Sequence, residues 1–138
     1  MMRDHARYER VGDLRSDLRD ALLRFLFVPE PRLRVLLAIR HGEQLGYATW
    51  SLEASTWQGA EYAHLDCLYV REEARGQRIG RLLLHAVEEG ARSAGATELQ
   101  WQTPAWNHDA IRFYRRTGAR GVSKIRYTLP LPGGAART

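Results

Sequence analysis

The chain has 138 residues, 44% apolar and 27% charged, the composition expected of one soluble globular domain long enough to bury a core. No apolar run approaches the roughly 20 residues of a membrane span, and the charged start MMRDHARYERVGDLRSDLRD has no apolar signal core, so a cytoplasmic protein is expected. The formal net charge of +5 suits an anionic nucleotide as well as it suits nucleic acid; no ladder of basic and aromatic residues that would stack bases is present, so nucleic acid is not an expected partner. Cys67 is the one cysteine, which excludes an intrachain disulfide; no Cys/His spacing points to zinc, and no metal is expected.

Residues 1–10 are polar and read as partly disordered or as a short first strand. Leu14, Leu18, Ala21, Leu22 and Phe25 recur at helical spacing, which predicts a helix from about Gly12 to Phe27, ended by Pro29 and Pro31. Arg34 to Arg40 is a short apolar run, hence a buried strand. His41 to Gln44 is its turn, and Leu45 to Glu53 is the second arm of a hairpin. Ala54 to Ala60 is a loop carrying Trp57, an aromatic that packs over the core or walls a substrate pocket. His64 to Val70 predicts a central strand, in which Cys67 is a buried structural thiol.

From Ile79, the residues Ile79, Leu82, Leu83, Ala86 and Val87 share one helix face. Between strand and helix lies Arg75-Gly76-Gln77-Arg78-Ile79-Gly80. Its two glycines let a ligand approach the backbone, and successive N–H groups at a helix start make a pocket for anions. Arg75, Arg78 and Arg81 surround that pocket with positive charge, so a phosphate-bearing ligand is its natural occupant. Gly90 to Gly95 ends the helix, Thr97 to Thr103 is another strand, and Trp106 to Gly118 is a helix. Asn107 suits its N-cap, Asp109 its start, Arg115 and Arg116 its end, and Gly118 its C′ position. Lys124 to Leu129 closes the fold as a strand before a frayed tail from residue 130. The whole is read as a single domain, 1–138, frayed at 1–10 and 130–138, with a mixed sheet and helices on both faces.

Arg75 to Gly80 resembles the acyl-CoA-binding segment of the GNAT family of N-acetyltransferases, Gln/Arg-x-x-Gly-x-Gly/Ala after a central strand; Arg78 stands where the family usually has glycine. Asn107-x-x-Ala110-Ile111-x-Phe113-Tyr114-x-x-x-Gly118-Ala119 resembles the same family's later helix. The two motifs stand in family order about thirty residues apart, and TWQGAEYAHLDCLYV is loosely similar to the diamine acetyltransferase branch. The resemblance implies a GNAT-like, mainly antiparallel α/β sheet and acetyl-CoA as cosubstrate. It implies that the main chain of Leu68, Tyr69 and Val70, the loop Arg75, Gly76, Gln77, Arg78, Ile79, Gly80 and Arg81, and the side chains of Asn107 and Tyr114 hold that cosubstrate.

An amine attacks a thioester only as the free base, and a departing thiolate needs a proton. Tyr114, placed near the sulfur by the resemblance, is the expected acid. Asp66, or His64 two residues before it, is the candidate to remove the amine's proton. His5, His41, His85 and His108 read as surface residues. In the resembling fold the acceptor enters beside the first helix and the Ala54–Ala60 loop, so Trp57, Glu53 and Glu61 are candidate substrate-binding residues. The expected reaction is transfer of an acetyl group to a primary amine of a small molecule, with a homodimer as the assembly considered. A protein N-terminus or charged tRNA as acceptor, and a noncatalytic acyl-CoA-binding domain, stay open.

Overall fold

Three strands of strongly patterned sequence build the sheet, and a fourth closes it. The computed structural model describes residues 1–132. Helix α1 spans Met2–Tyr8 and α2 Leu18–Leu26; the strands are β1 Arg34–Arg40, β2 Glu43–Ser55 and β3 Ala60–Val70. A single 3-10 turn, Glu72–Ala74, leads to α3 Ile79–Ser93, then β4 Leu99–Trp101 and α4 His108–Arg116. The sheet order is β1-β2-β3-β4, antiparallel except for the β3–β4 pair. His41 (φ 51°) and Gly42 (φ 80°) are both left-handed, as a two-residue hairpin turn matched to strand twist requires. Residues 1–102 form one compact unit, and the chain from Thr103 onward forms another.

The core of the first unit lies between the sheet and α3. Leu83, Leu84, Val87 and Ala91 recur on one face of α3 and are buried, as are Ala48 and Ala63 of the sheet. Each fully buried aliphatic side chain contributes about 1.5–3 kcal/mol. The layers meet closely because two positions lack a side chain. A Cβ on Gly46 would lie 2.6 Å from the Tyr69 carbonyl oxygen, and one on Gly90 would lie 2.8 Å from the Trp50 ring. Gly90 is therefore a packing residue inside α3, not part of a helix end, and the helix runs on to Ser93.

The other face of the sheet carries α1. Residues 1–10 are neither frayed nor a strand: Met2–Tyr8 is helical because His5 and Ala6 are buried. The His5 ring stacks on Tyr69 with centroids 4.8 Å apart and meets Tyr47 edge-on at 5.6 Å. His5 is thus a core residue, against the surface reading. Helix α2 is shorter than the predicted Gly12–Phe27 and begins at Leu18.

Two strand expectations also change. The hairpin loop shrinks to residues 56–59, since β2 and β3 pair as far as Ser55↔Ala60. Lys124 to Leu129 forms no strand. Ile125, Tyr127 and Leu129 alternate as strand residues do, yet each is more than three-quarters exposed and the segment joins no ladder among the described residues. Alternation is a local property, whereas a strand also needs a neighbour to take its N–H and C=O groups. Of the expected tail, residues 133–138 lie outside the described residues.

Candidate active site

A wedge opens in the sheet where β3 and β4 part. Their ladder covers Ala63↔Leu99, His64↔Gln100 and Leu65↔Trp101, and stops there. On its opposite edge, β3 stays paired with β2 as far as Val70↔Gly46. From Asp66 to Val70, therefore, one edge of β3 has no strand partner among the described residues. The carboxyl ends of neighbouring parallel strands are where open α/β sheets place their ligands.

A bulge marks the start of the wedge. Thr49 pairs with Cys67 and Trp50 with Leu65, which leaves Asp66 as the extra residue of β3. An extra residue re-aims its side chain. Asp66 is exposed, not enclosed in an apolar strand. His64 precedes the bulge, half-buried and opposite Ser51.

The end of β3 runs into the basic loop. Ala74 is buried and anchors the 3-10 turn, while Gly76 (φ 75°) and Arg78 (φ 63°) take left-handed conformations. Arg78 stands at the N-cap of α3 in the conformation that glycine adopts most cheaply, which explains why a glycine is usual there. The first helical hydrogen bond beyond it runs from Leu82 N–H to the Arg78 carbonyl, so the N–H groups of Ile79, Gly80 and Arg81 have no acceptor within the helix. No side chain caps this terminus and no acidic residue lies in its first turn. The dipole and the open donors together favour an anion.

The three arginines are not equivalent. Arg75 donates from Nε to the Val70 carbonyl at 3.1 Å, and its guanidinium lies over the rings of Tyr8 and Tyr69 at 5.0 and 5.8 Å. It ties α1, the end of β3 and the loop together. Arg78 and Arg81 are exposed at the helix start. Gln77 donates to the Glu73 carbonyl at 3.2 Å, bracing the loop from within.

Beside the bulge, on the α1 face, lies a polar group of residues that sequence patterning did not single out. His5 Nδ1 and the Tyr47 hydroxyl are 2.7 Å apart. Burial drives the His5 pKa down to about 4, against the opposing pull of the Asp66 carboxylate. Burial first, and then the Cys67 and Asp66 charges, push the Tyr47 phenol up. The Cys67 thiol, 3.8 Å from Asp66 Oδ2, is raised to about 11 by burial and by that carboxylate. Cys67 is half-buried and stays a thiol at neutral pH. Only the spacing of His5 and Ala6 with Glu9 hinted at a packed face, and Arg3, Asp4 and Arg7 obscured it.

The second unit carries the later motif. Asn107 is the N-cap of α4, buried, with Oδ1 accepting from the Ala110 N–H at 3.2 Å. Tyr114 lies in the last turn, half-buried, its ring edge-on to Phe113 at 5.2 Å. The helix agrees with its predicted caps: Asp109 in the first turn, Arg115 and Arg116 in the last, and Gly118 at φ 91°.

Trp57, Glu53 and Glu61 belong to the opposite end of β3. Trp57 is 97% exposed at the hairpin tip, and Glu53 accepts from the Tyr62 hydroxyl at 2.9 Å. At about 3.3 Å per residue, Glu61 lies roughly 16 Å along the strand from Asp66, and the tip roughly 33 Å from Val70. Within one chain, the structure does not bring these three residues to the wedge.

A twisted sheet split at a bulged strand, followed by a basic loop on a helix N-terminus, is the frame of an acyltransferase. The acetyltransferase (GNAT) family model matches residues 1–119, and the chain belongs to that family. It is 30% identical over 132 residues to thialysine N-epsilon-acetyltransferase of Sus scrofa, covering 90% of this chain and 77% of that protein. It is 34% identical to aminoalkylphosphonate N-acetyltransferase of Salmonella typhimurium, over 74% of this chain and 66% of that one. Among solved structures, an aminoglycoside acetyltransferase from an uncultured soil metagenomic sample, in complex with sisomicin, shares the fold. Its TM-score is 0.77 at 20% identity, over 94% of this chain and 86% of that one. The protein is an N-acetyltransferase by family. Among the described residues no helix is long and apolar enough to cross a membrane.

Proposed function

We propose that the protein is a cytoplasmic enzyme that moves an acetyl group from acetyl-CoA to a primary amine of a small molecule by direct attack. The observation that carries this reading is the unpaired edge of β3 from Asp66 to Val70, which runs straight into an uncapped basic helix start. An extended amide-bearing arm can hydrogen-bond to the main chain of Leu68 and Val70, which alternate onto the open edge, while Tyr69 between them turns its own groups to β2. A pyrophosphate can then accept from the N–H groups of Ile79, Gly80 and Arg81, beside Arg78. Acetyl-CoA has both parts in that order. The acceptor reading is supported by relatives whose names specify small amines, thialysine and aminoalkylphosphonate.

In this mechanism Asp66 takes one proton from the substrate ammonium. The freed nitrogen lone pair bonds to the thioester carbonyl carbon, the carbon–sulfur bond breaks, and the thiolate takes a proton from Tyr114. The nitrogen sheds its second proton as the amide forms, which restores the Tyr114 phenol through solvent, and Asp66 releases its own; the products are the N-acetyl amine, the free thiol and one proton for solvent. Backbone N–H groups of the β3 edge would stabilise the developing oxyanion. A homodimer is supported by Val35, Leu37 and Ile39, three apolar residues exposed in alternation on edge strand β1.

Thiol release from acetyl-CoA, measured with polyamines, amino acids, aminoglycosides and peptides, tests the reading. We expect turnover with small primary amines. In Tyr114→Phe, which keeps the ring, kcat should fall about 10²–10⁴-fold with little change in acetyl-CoA affinity. Turnover only of a protein N-terminus or a charged tRNA, or acetyl-CoA binding with no turnover, would overturn it.

A further inference from the structure

We infer that Thr49 and Asp66 together form the seat for the acceptor's amino group, on the face of the sheet covered by α1; this rests on the proposed acetyl transfer and names the groups that read its substrate. Thr49 is 8% exposed, and its hydroxyl makes no well-aligned hydrogen bond among the described residues, the weak thiol of Cys67 being the group that stands beside it. Buried hydroxyls are normally satisfied, so this one keeps acceptor capacity that a ligand N–H can use. Alternation puts Thr49 on the same face as Tyr47. The Tyr47 hydroxyl is committed to His5 Nδ1 at 2.7 Å. Directly across the strand from Thr49 is Cys67, a weak hydrogen-bonding group that sits among the Thr49 and Tyr47 hydroxyls and lies 3.8 Å from the Asp66 carboxylate.

Asp66 belongs to the same locality. It is the bulged residue next to Cys67, and its charge acts on His5, Tyr47 and Cys67, all of which lie on this face. One side of the seat is therefore an open carboxylate and the other a buried hydroxyl oxygen. A primary ammonium fits this pair. It gives one proton to the carboxylate, keeps one N–H for the hydroxyl oxygen, and turns the lone pair left behind toward the acyl carbon. A tertiary amine, once deprotonated, has no N–H left for Thr49. His5 is neutral at working pH, so it adds no positive charge to repel the substrate. Thr49 is on this view a specificity-determining residue, and it acts by orientation.

The test compares wild type, Thr49→Val and Thr49→Ser with 1,3-diaminopropane as acceptor. Valine keeps the branched shape and removes the orphan hydroxyl; serine keeps the hydroxyl. We expect KM for the amine to rise about three- to tenfold in Thr49→Val, with KM for acetyl-CoA unchanged and thermal stability equal or higher. Thr49→Ser should keep an amine KM near wild type. An unchanged amine KM in Thr49→Val, or an equal rise in both variants, would overturn the assignment while leaving the acetyl transfer intact. If wild type acetylates no primary amine of any kind, both readings fall together.

Discussion

The two ends of β3 have similar composition and opposite prospects. At the hairpin end, Ala63 to Leu65 has strands on both edges, and two acidic residues nearby are engaged with neighbours: Glu53 with Tyr62, and Glu98 with Gln58. At the other end, Asp66 to Val70 has a strand on one edge only, beside a bulge, an orphan hydroxyl and a bare helix start. Carboxylates alone do not make a site. What separates the ends is where the fold leaves main-chain and buried hydroxyl groups without a strand or side chain to meet them.

The sharpest way to break this comparison is Asp66→Asn, which keeps shape and removes the basic carboxylate. Its kcat/KM for a primary amine should fall about 10²–10⁴-fold, with KM for acetyl-CoA unchanged. A variant within threefold of wild type at every pH would remove Asp66 from proton transfer and leave His64 as the candidate.

The next effect concerns stability at the same end. His5 is buried and neutral, with its pKa lowered from 6.5 to about 4. Between these values the unfolded chain binds a proton that the folded chain refuses. The contribution is complete above about pH 6.5 and is lost as pH falls toward 4, by an amount on the order of 3 kcal/mol. Urea unfolding at pH 7 and pH 4.5 should show this loss in wild type and a much smaller one in His5→Gln. Equal losses would mean that His5 is not the group responsible.

The smallest effect is expected at the hairpin end. Glu53→Gln combined with Glu61→Gln should change KM for a cationic amine by less than about twofold, since roughly 16 Å of strand separates Glu61 from Asp66 and the charges are solvent-screened. A tenfold rise in amine KM, with acetyl-CoA KM constant, would restore Trp57, Glu53 and Glu61 as acceptor residues and move the pocket toward the hairpin.

How much of this was legible beforehand follows from the range of each interaction. The hairpin, the central strand, the start of α3 at Ile79 and the caps of α4 were readable because periodicity, turn chemistry and capping act within a few residues. Asn107, for instance, caps a backbone N–H three positions away. The basic loop was readable for the same reason, its glycine and arginines being consecutive; Arg78 in a left-handed conformation shows that the backbone demand outlasts the change of residue.

The remainder was decided only in three dimensions. His5 looked like a surface residue because the 42 residues separating it from Tyr47 hide their contact. Trp57 could be read as a pocket wall because sequence does not say that it stands exposed at the hairpin tip, far along the strand from the wedge. The bulge at Asp66 shifts the register by one residue, and with a side-chain period of two, one residue decides which face every neighbour joins. Lys124 to Leu129 carries the strand pattern without a strand, because local alternation supplies faces but not partners. The sequence alone thus determined the family, the local elements and the basic loop at a helix start; the tertiary structure decided which polar groups were left unsatisfied, since that depends on every group the rest of the chain brings near.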